Sequence, residues 1–244
     1  MLGKSLESWK KGKELAGKFY EKLATAHTKG NIMAWGGASA PCEILRAMQI
    51  EPILGEPYGA LCAAGNFSED LFEATESYEG HGFGKELCAY SRNFMGSYLK
   101  NRGPFGEMPA PDFLIAAKLG CNDHLTWYEI ISKMTGKPLI VVDIPLVYEE
   151  VKEHHIEYVQ LQLENFVDYL ENLRGQKLDE EAFLSLLICG KKTKDLWSQI
   201  LEVCKKVPAP LNFKTQLSMM VPAVSLKGMP EAADFYAELL AEIK

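Results

Sequence analysis

Short apolar runs alternate with amphipathic stretches through the first 148 residues. The apolar runs at 31–35, 52–55, 112–119 and 137–144 predict buried strands. The stretches between them predict helices at 5–28, from Pro41 onward, at 69–77, at 85–100 and after Cys121. The run KPLIVVDI at 137–144 is the richest in β-branched residues and predicts a central strand covered on both faces.

Strands that alternate with helices indicate right-handed crossovers between parallel strands. The expected fold is therefore α/β, with a Rossmann-like or flavodoxin-like parallel sheet of about four strands. After Tyr148 the apolar positions follow helical spacing, most clearly at 156–173, 184–201 and 231–243. This change divides the chain into an α/β domain, residues 1–148, and a C-terminal helical region, residues 149–244.

Composition narrows the classes of function. The chain has 244 residues, of which 47% are hydrophobic and 24% charged, and a formal net charge of -7. No cluster of Lys or Arg is present, which argues against nucleic acid or an anionic membrane surface as a partner. No apolar run approaches the roughly 20 residues that cross a bilayer, and residues 1–29 lack the apolar core of a signal peptide, so we expect a cytoplasmic protein.

Several chemically capable side chains lie just beyond predicted strand ends. Ser39, Glu56 and Cys121 occupy such positions, and open α/β sheets bind ligands at the carboxyl edge of their strands. Cys88 and Cys121 also lie near predicted helix starts, where the helix dipole favours an anionic sulfur. Because 33 residues separate them and no CxxC occurs, spacing alone leaves both metal ligation and simple packing open.

Other candidates have simpler interpretations. Glu43 suits a helix-capping role as well as a catalytic one. His124 follows Cys121 closely, but a second pair of zinc ligands is absent, so the pattern does not indicate a zinc site. Gly36 and Gly37 follow a strand but lack GxGxxG and the P-loop lysine, which argues against nucleotide binding. Three further cysteines are interpreted as packing residues: Cys42, Cys62 and Cys189.

Three sequence segments resemble those of a known family. They are ELCAYSRNFMG at 86–96, GEMPAPDFLIAAKLGCNDHLTWYE at 106–129 and KPLIVVDIP at 137–145. Together with APCEILRAMQIEPILGEPYGA upstream, they resemble the iron-sulfur subunits of the 2-hydroxyacyl-CoA dehydratase and benzoyl-CoA reductase family, of which the 2-hydroxyglutaryl-CoA dehydratase D-component is one type. The similarity extends from about residue 32 to 144, and more loosely through the helical region.

The resemblance implies reductive radical chemistry on an acyl-CoA thioester. In the family, a 4Fe-4S cluster held by three cysteines of the subunit accepts one electron from an ATP-dependent activator protein, and a second iron-sulfur subunit is the partner. The thioester becomes a ketyl radical anion, from which a hydroxyl group is eliminated or an aromatic ring is reduced. Cys88 and Cys121 match two cluster ligands, while Glu56 and, at a less certain offset, Ser39 match catalytic positions.

The third cysteine of the family comes from a second lobe downstream of the helical region. The sequence ends at Lys244, before such a lobe, so we expect a fragment, a lobe on another polypeptide, or a shortened relative. Two alternatives stay open: a non-catalytic α/β binding or assembly module on the same scaffold, and a relative with a different cluster that reduces other small molecules.

Overall fold

The sheet has four parallel strands. The structure is a computed structural model that describes residues 6–26, 30–78 and 84–244. The strands are β1 (Met33–Gly36), β2 (Glu51–Leu54), β3 (Phe113–Lys118) and β4 (Leu139–Asp143), in the order β2-β1-β3-β4. Every pairing is parallel, and Trp35 in β1 is in register with Ile53 on one side and Leu114 on the other. The predicted four-stranded α/β sheet is confirmed.

Helices connect and follow the strands. Those preceding β4 are α1 (Glu7–Ala26), α2 (Cys42–Ala47), α3 (Gly55–Ala64), α4 (Ser68–Glu76), α5 (Ala89–Lys100) and α6 (Asn122–Thr135). Those after β4 are α7 (Glu153–Arg174), α8 (Glu180–Val203), α9 (Phe213–Met219), α10 (Val221–Ser225) and α11 (Pro230–Ile243). The predicted helical character of the chain after residue 148 is confirmed, since no described residue there lies in a strand.

Two expectations about individual elements were wrong. β4 was predicted to be central, but it lies at the edge of the described sheet, and Val141 is 39% exposed. Helix α3 was not predicted, because its sequence GEPYGALCAA carries two glycines and a proline. Pro57 is tolerated there because it lies in the first turn, where the missing N–H has no partner within the helix.

Aromatic rings form the core between the sheet and its helices. The ring centroids of Trp35 and Phe94 are 4.9 Å apart, and Phe94 lies 5.5 Å from Trp127 and 5.7 Å from Tyr58, all edge to face. All four side chains are buried. Strands and helices from distant parts of the sequence are therefore joined by one continuous cluster, which fixes the positions of the helix starts near the sheet edge.

Helices α4 and α5 are joined by a buried arginine. The Arg92 guanidinium donates to the Glu76 carboxylate and to the carbonyl oxygen of Lys85 at 3.2 Å, and it lies 4.0 Å from the ring centroid of Phe72. The Arg92 side chain is only 8% exposed, whereas that of Lys85, whose Nζ lies 3.3 Å from the same Glu76 carboxylate, is 80% exposed. The two cations therefore share one carboxylate in very different surroundings.

Contacts divide the chain into two compact units: residues 1–22 with 179–244, and residues 23–178. Helix α7 belongs to the unit that contains the sheet, where the side-chain amide of Gln162 accepts from the amide of Asp143 and donates to its carbonyl oxygen. The sequence predicted a boundary between residues 148 and 149 that separates a cluster-binding domain from a helical region, and this division stays a prediction.

The other unit is helical. Its core includes Tyr236, whose hydroxyl donates to the carbonyl oxygen of Met219 at 2.6 Å and accepts from the amide of Ala223 at 3.0 Å. At the start of α1, the Glu242 carboxylate accepts hydrogen bonds from two backbone amides and from the Ser8 hydroxyl. No helix in the described ranges is long and apolar enough to cross a membrane.

Candidate active site at the carboxyl edge of the sheet

The predicted site residues follow the ends of three neighbouring strands. Ser39 lies in the turn after β1, Glu56 lies in the first turn of α3 directly after β2, and Cys121 precedes α6 after β3. Because these strands are parallel, their carboxyl ends share one edge of the sheet.

Packing between α3 and α5 adds Cys88 to this edge. Gly59 lies against the backbone of Tyr90, so closely that a Cβ at residue 59 would be 2.8 Å from the Tyr90 carbonyl oxygen. Further along the same two helices, Cys62 Sγ lies 3.4 Å from Ser97 Oγ. Residue numbers rise together on both helices, so the helices run in the same direction and begin at the same end.

It follows that Glu56 and Cys88 lie near one another in the fold. Glu56 is one turn before Gly59 on α3, and Cys88 immediately precedes α5, two residues before Tyr90. Glycine is required at residue 59, because any side chain would push the first turns of α3 and α5 apart.

The two cysteines occupy the same position relative to their helices. Cys88 is the N-cap of α5 and Cys121 is the N-cap of α6, and neither sulfur caps a backbone amide. Both thiols are free, with Cys88 half-buried and Cys121 exposed. Gly120 has a φ of +96°, which allows the sharp turn from β3 to Cys121 at little cost. The expectation that both cysteines lie at helix starts is confirmed.

The two thiols fit part of the ligand set of an iron-sulfur cluster. Thiolates are the ligands that such clusters take, and the two N-cap positions present them beside amide groups that favour negative charge. Among the described residues, no group of three His, Cys, Asp or Glu side chains is arranged to hold a metal ion. Cys88 and Cys121 therefore fit two ligand positions, and the described side chains do not supply the third.

Glu56 is held from two sides. Its Oε2 accepts a hydrogen bond from the amide of Ala38 at 2.9 Å, and its Oε1 lies 3.2 Å from Nε2 of His124. The latter pair is within ion-pair distance but is not aligned as a hydrogen bond. The Glu56 side chain is 26% exposed, so it is not fully enclosed by the protein.

His124 is the site residue that sequence reasoning missed. It lies on α6 one turn beyond Cys121, is buried, and shares one helix face with Trp127 and Tyr128, whose ring centroids lie 6.1 and 5.1 Å from that of the imidazole. The spacing of these three residues, i, i+3 and i+4, was the available signal of a common buried face.

The face of α6 that carries His124, Trp127 and Tyr128 packs closely against two glycines. A Cβ at Gly37 would be 2.0 Å from His124 Nε2, and a Cβ at Gly55 would be 2.5 Å from the Trp127 ring and 2.9 Å from the Tyr128 hydroxyl. The close approach of the imidazole therefore explains the glycine at residue 37.

Several buried polar atoms of this face lack a hydrogen-bond partner. They are both ring nitrogens of His124, Nε1 of Trp127 and the Tyr128 hydroxyl. Burial, and then the negative charge of Glu56, raise the pKa of Tyr128 well above its ordinary value, so this hydroxyl stays protonated. The Gly55 backbone lowers the pKa of Tyr128, although it is not aligned well enough to form a hydrogen bond with the hydroxyl.

The remaining predicted residues are more peripheral. Ser39 is exposed in the turn that contains Ala38, the residue whose amide binds Glu56. Cys42 and Cys62 are buried, as expected of packing residues, and burial raises the pKa of Cys62 to about 11 although the Ser97 hydroxyl lowers it. Cys189 was expected in a core but is only half-buried.

Comparison with known proteins decides the family. A family model described as "2-hydroxyglutaryl-CoA dehydratase, D-component" matches residues 38–244. The chain belongs to this family. The match includes Glu56, both N-cap cysteines and the helices after residue 148.

Curated relatives are subunits of larger enzymes. The (R)-2-hydroxyisocaproyl-CoA dehydratase alpha subunit of Clostridioides difficile is 29% identical over 234 residues, 95% of this chain and 56% of the relative. The (R)-phenyllactyl-CoA dehydratase alpha subunit of Clostridium sporogenes is 27% identical over 218 residues, 89% of this chain and 53% of the relative. A benzoyl-CoA reductase subunit of Thauera aromatica is 26% identical over 172 residues, 68% of this chain and 40% of the relative. The chain spans about half the length of the curated relatives that it matches.

Proposed function

We propose that this chain is part of an iron-sulfur subunit of a dehydratase or reductase that acts on an acyl-CoA thioester. The observation that carries the proposal is the pair of N-cap cysteines, Cys88 and Cys121, on two helices that begin beside Glu56 in a chain of the 2-hydroxyglutaryl-CoA dehydratase D-component family. The relatives named as dehydratase alpha subunits and as a benzoyl-CoA reductase subunit support this reaction class.

Cys88 and Cys121 would hold two irons of a 4Fe-4S cluster. Both sulfurs lie at the positive ends of helices, and each helix start is fixed by packing: α5 against Gly59 of α3, and α6 against the two site glycines. Such a cluster, when bound, supplies single electrons to a thioester carbonyl. Cys121 is the more solvent-accessible of the two cysteines.

Glu56 would hold or move a proton beside the substrate. Its carboxylate accepts a hydrogen bond from the Ala38 amide, and the side chain, which follows the end of β2, keeps about a quarter of its surface exposed. Open α/β sheets bind substrates beyond these strand ends. A carboxylate held in one orientation can accept a proton from, or return it to, a substrate oxygen or carbon at hydrogen-bond distance. The Ser39 hydroxyl, exposed in the neighbouring turn, would bind a polar group of the substrate.

The enzyme would need partners. The relatives are themselves named as subunits, of dehydratases and of a reductase, which supports a second subunit here. The proposed electron source is an ATP-dependent activator protein, in keeping with the one-electron chemistry.

Anaerobic co-purification of the full-length protein with its partner subunit tests the proposal. The measurements are iron, acid-labile sulfide and visible charge-transfer absorbance, followed by activity with acyl-CoA thioesters and the activator. We expect about four irons per subunit. Cys88→Ser and Cys121→Ser should each lose most of the iron.

Cys189→Ser is the matched control, because this half-buried cysteine lies on α8, far along the chain from the site. It should keep the full iron content. Iron-free wild-type protein that binds its partner would instead favour a non-catalytic assembly module. A cluster that survives both N-cap substitutions would contradict the ligand assignment.

A further inference from the structure

His124 lies close to one oxygen of the Glu56 carboxylate without forming a hydrogen bond to it. Each carboxylate oxygen has its own neighbour, the Ala38 amide at 2.9 Å from Oε2 and His124 Nε2 at 3.2 Å from Oε1. Among the described residues, no lysine or arginine forms an ion pair with Glu56. Among the charged side chains of the described ranges, the imidazole is therefore the one within ion-pair distance of Oε1.

The imidazole itself is held rigidly. Its side chain is 8% exposed, it lies between the aromatic rings of α6 and the backbone at Gly37, and a methyl group at residue 37 would already overlap Nε2. A ring confined in this way has one orientation, so the position of Nε2 is set by the fold rather than by the carboxylate.

The absence of hydrogen bonds to the buried imidazole of His124 requires an explanation. An unpaired buried donor destabilises the folded state, and both His124 ring nitrogens lack a hydrogen-bond partner. A carboxylate oxygen accepts hydrogen bonds, so the tautomer with its proton on Nε2 is the one that can donate to Oε1. A small rotation of the exposed carboxylate would align the pair, as happens when a site closes on its substrate.

We propose that His124 is a positioning residue that fixes the Glu56 carboxylate at the carboxyl edge of the sheet. It acts through Glu56 and not on the reacting atoms themselves. Once Nε2 and Oε1 are aligned, His124 fixes Oε1 while the Ala38 amide binds Oε2, so that the carboxylate keeps one orientation. The kinetic consequence rests on the function proposed above, whereas the structural consequence does not.

The structural consequence is measured at the Ala38 amide by hydrogen-deuterium exchange. His124→Phe keeps an aromatic ring beside Trp127 and Tyr128 but removes Nε2, so the released carboxylate should let the Ala38 amide exchange about tenfold faster or more. His124→Gln keeps an N–H donor at similar reach and should recover most of the protection. Glu56→Gln serves as the positive control for a weakened acceptor.

Kinetics of the complete enzyme give the second measurement. His124→Phe should lower kcat by about 10- to 100-fold with a KM change below about threefold, because misorientation of a catalytic group slows chemistry more than it weakens binding. His124→Gln should recover a substantial part of the loss. Glu129→Gln, on the exposed face of the same helix, is the matched control and should change neither measurement.

The two measurements separate the possible failures. Unchanged Ala38 exchange in His124→Phe, with the variant folded by circular dichroism, overturns the positioning role whatever the enzyme does. Faster Ala38 exchange in an iron-free, inactive protein would contradict the proposed function but support the role of His124. Equal defects in the Phe and Gln variants would overturn the role, because packing alone would then explain the effect.

Discussion

Substitution of Gly37 by alanine tests the packing on which the candidate site depends. The new methyl group would lie 2.0 Å from His124 Nε2 and 2.5 Å from Cε1. Ordinary contact needs at least 3.4 Å, so the ring would have to move by about 1.4 Å. The buried rings of Trp127 and Tyr128 lie in contact with the imidazole and leave it little freedom to do so.

The expected cost is that of overpacking a rigid core, about 1–3 kcal/mol in the free energy of unfolding. Backbone strain should add nothing, because Gly37 does not have a positive φ. Gly17→Ala is the matched control: it lies inside helix α1 with no neighbour within 4 Å of a Cβ, and it should gain about 0.5–1 kcal/mol.

A double-mutant cycle of Gly37→Ala with His124→Ala isolates the clash. The His124→Ala variant leaves a cavity, and the methyl group added at residue 37 partly fills it in the double variant, so the two effects should be non-additive by at least about 1 kcal/mol. Urea denaturation followed by tryptophan fluorescence and circular dichroism gives all four free energies. A Gly37→Ala effect within about 0.5 kcal/mol of zero, or an additive cycle, would refute the reasoning.

Three further predictions concern side chains that stabilise the fold. Arg92→Met should lower the free energy of unfolding by about 2 kcal/mol, whereas Lys85→Met, which removes the exposed cation from the same carboxylate, should change it by less than about 0.5 kcal/mol; equal effects in urea denaturation would contradict this. Tyr236→Phe should cost about 1–3 kcal/mol, because a buried amide and carbonyl group lose their partner, and calorimetry showing no change would count against it. Burial raises the pKa of Glu242, but hydrogen bonds from Ser8 and from the amide of Glu7 outweigh burial and hold the pKa below its ordinary value of 4.5. The contribution of Glu242 to the stability of the fold is therefore complete above pH 4.5 and is lost as pH falls through the folded-state pKa. Glu242→Gln should flatten the acid side of the stability profile, and an unaltered profile would contradict the assignment.

The sequence was sufficient for the sheet and for the positions of both N-cap cysteines. The hydrophobic period and the turn residues are local properties of the sequence, and they predicted the strands that end at Gly36 and shortly before Gly120 to within two residues. The cysteine positions followed from the same pattern, since each lies where a polar turn meets a helical stretch.

Local properties could not assign the place of each element in the sheet. The β-branched run of β4 is compatible with a central or an edge strand, because α7 covers it through contacts such as Gln162 with Asp143 that lie 19 residues apart. Helix α3 was missed for a similar reason: its glycines look like helix breakers, but Gly55 and Gly59 are needed for close approach to α6 and α5.

His124 shows where linear reasoning about chemistry failed. Its proximity to Cys121 suggested for His124 only the role of a zinc ligand, which was rejected because a second pair of ligands is absent. The pairing with Glu56 joins residues 68 positions apart and exists only because α6 packs against the turns that follow β1 and β2. Such a pair has no local sequence pattern.

Thiol alkylation read out by mass spectrometry is the most direct test of the proposed cluster ligands. In anaerobically purified protein bound to its partner, Cys88 and Cys121 should resist alkylation until the iron is removed by a chelator, after which both should react. The half-buried Cys189 and Cys204, outside the site, should react equally before and after. If Cys88 and Cys121 are alkylated at the same rate with and without iron in the protein, they are not cluster ligands and the central claim is wrong.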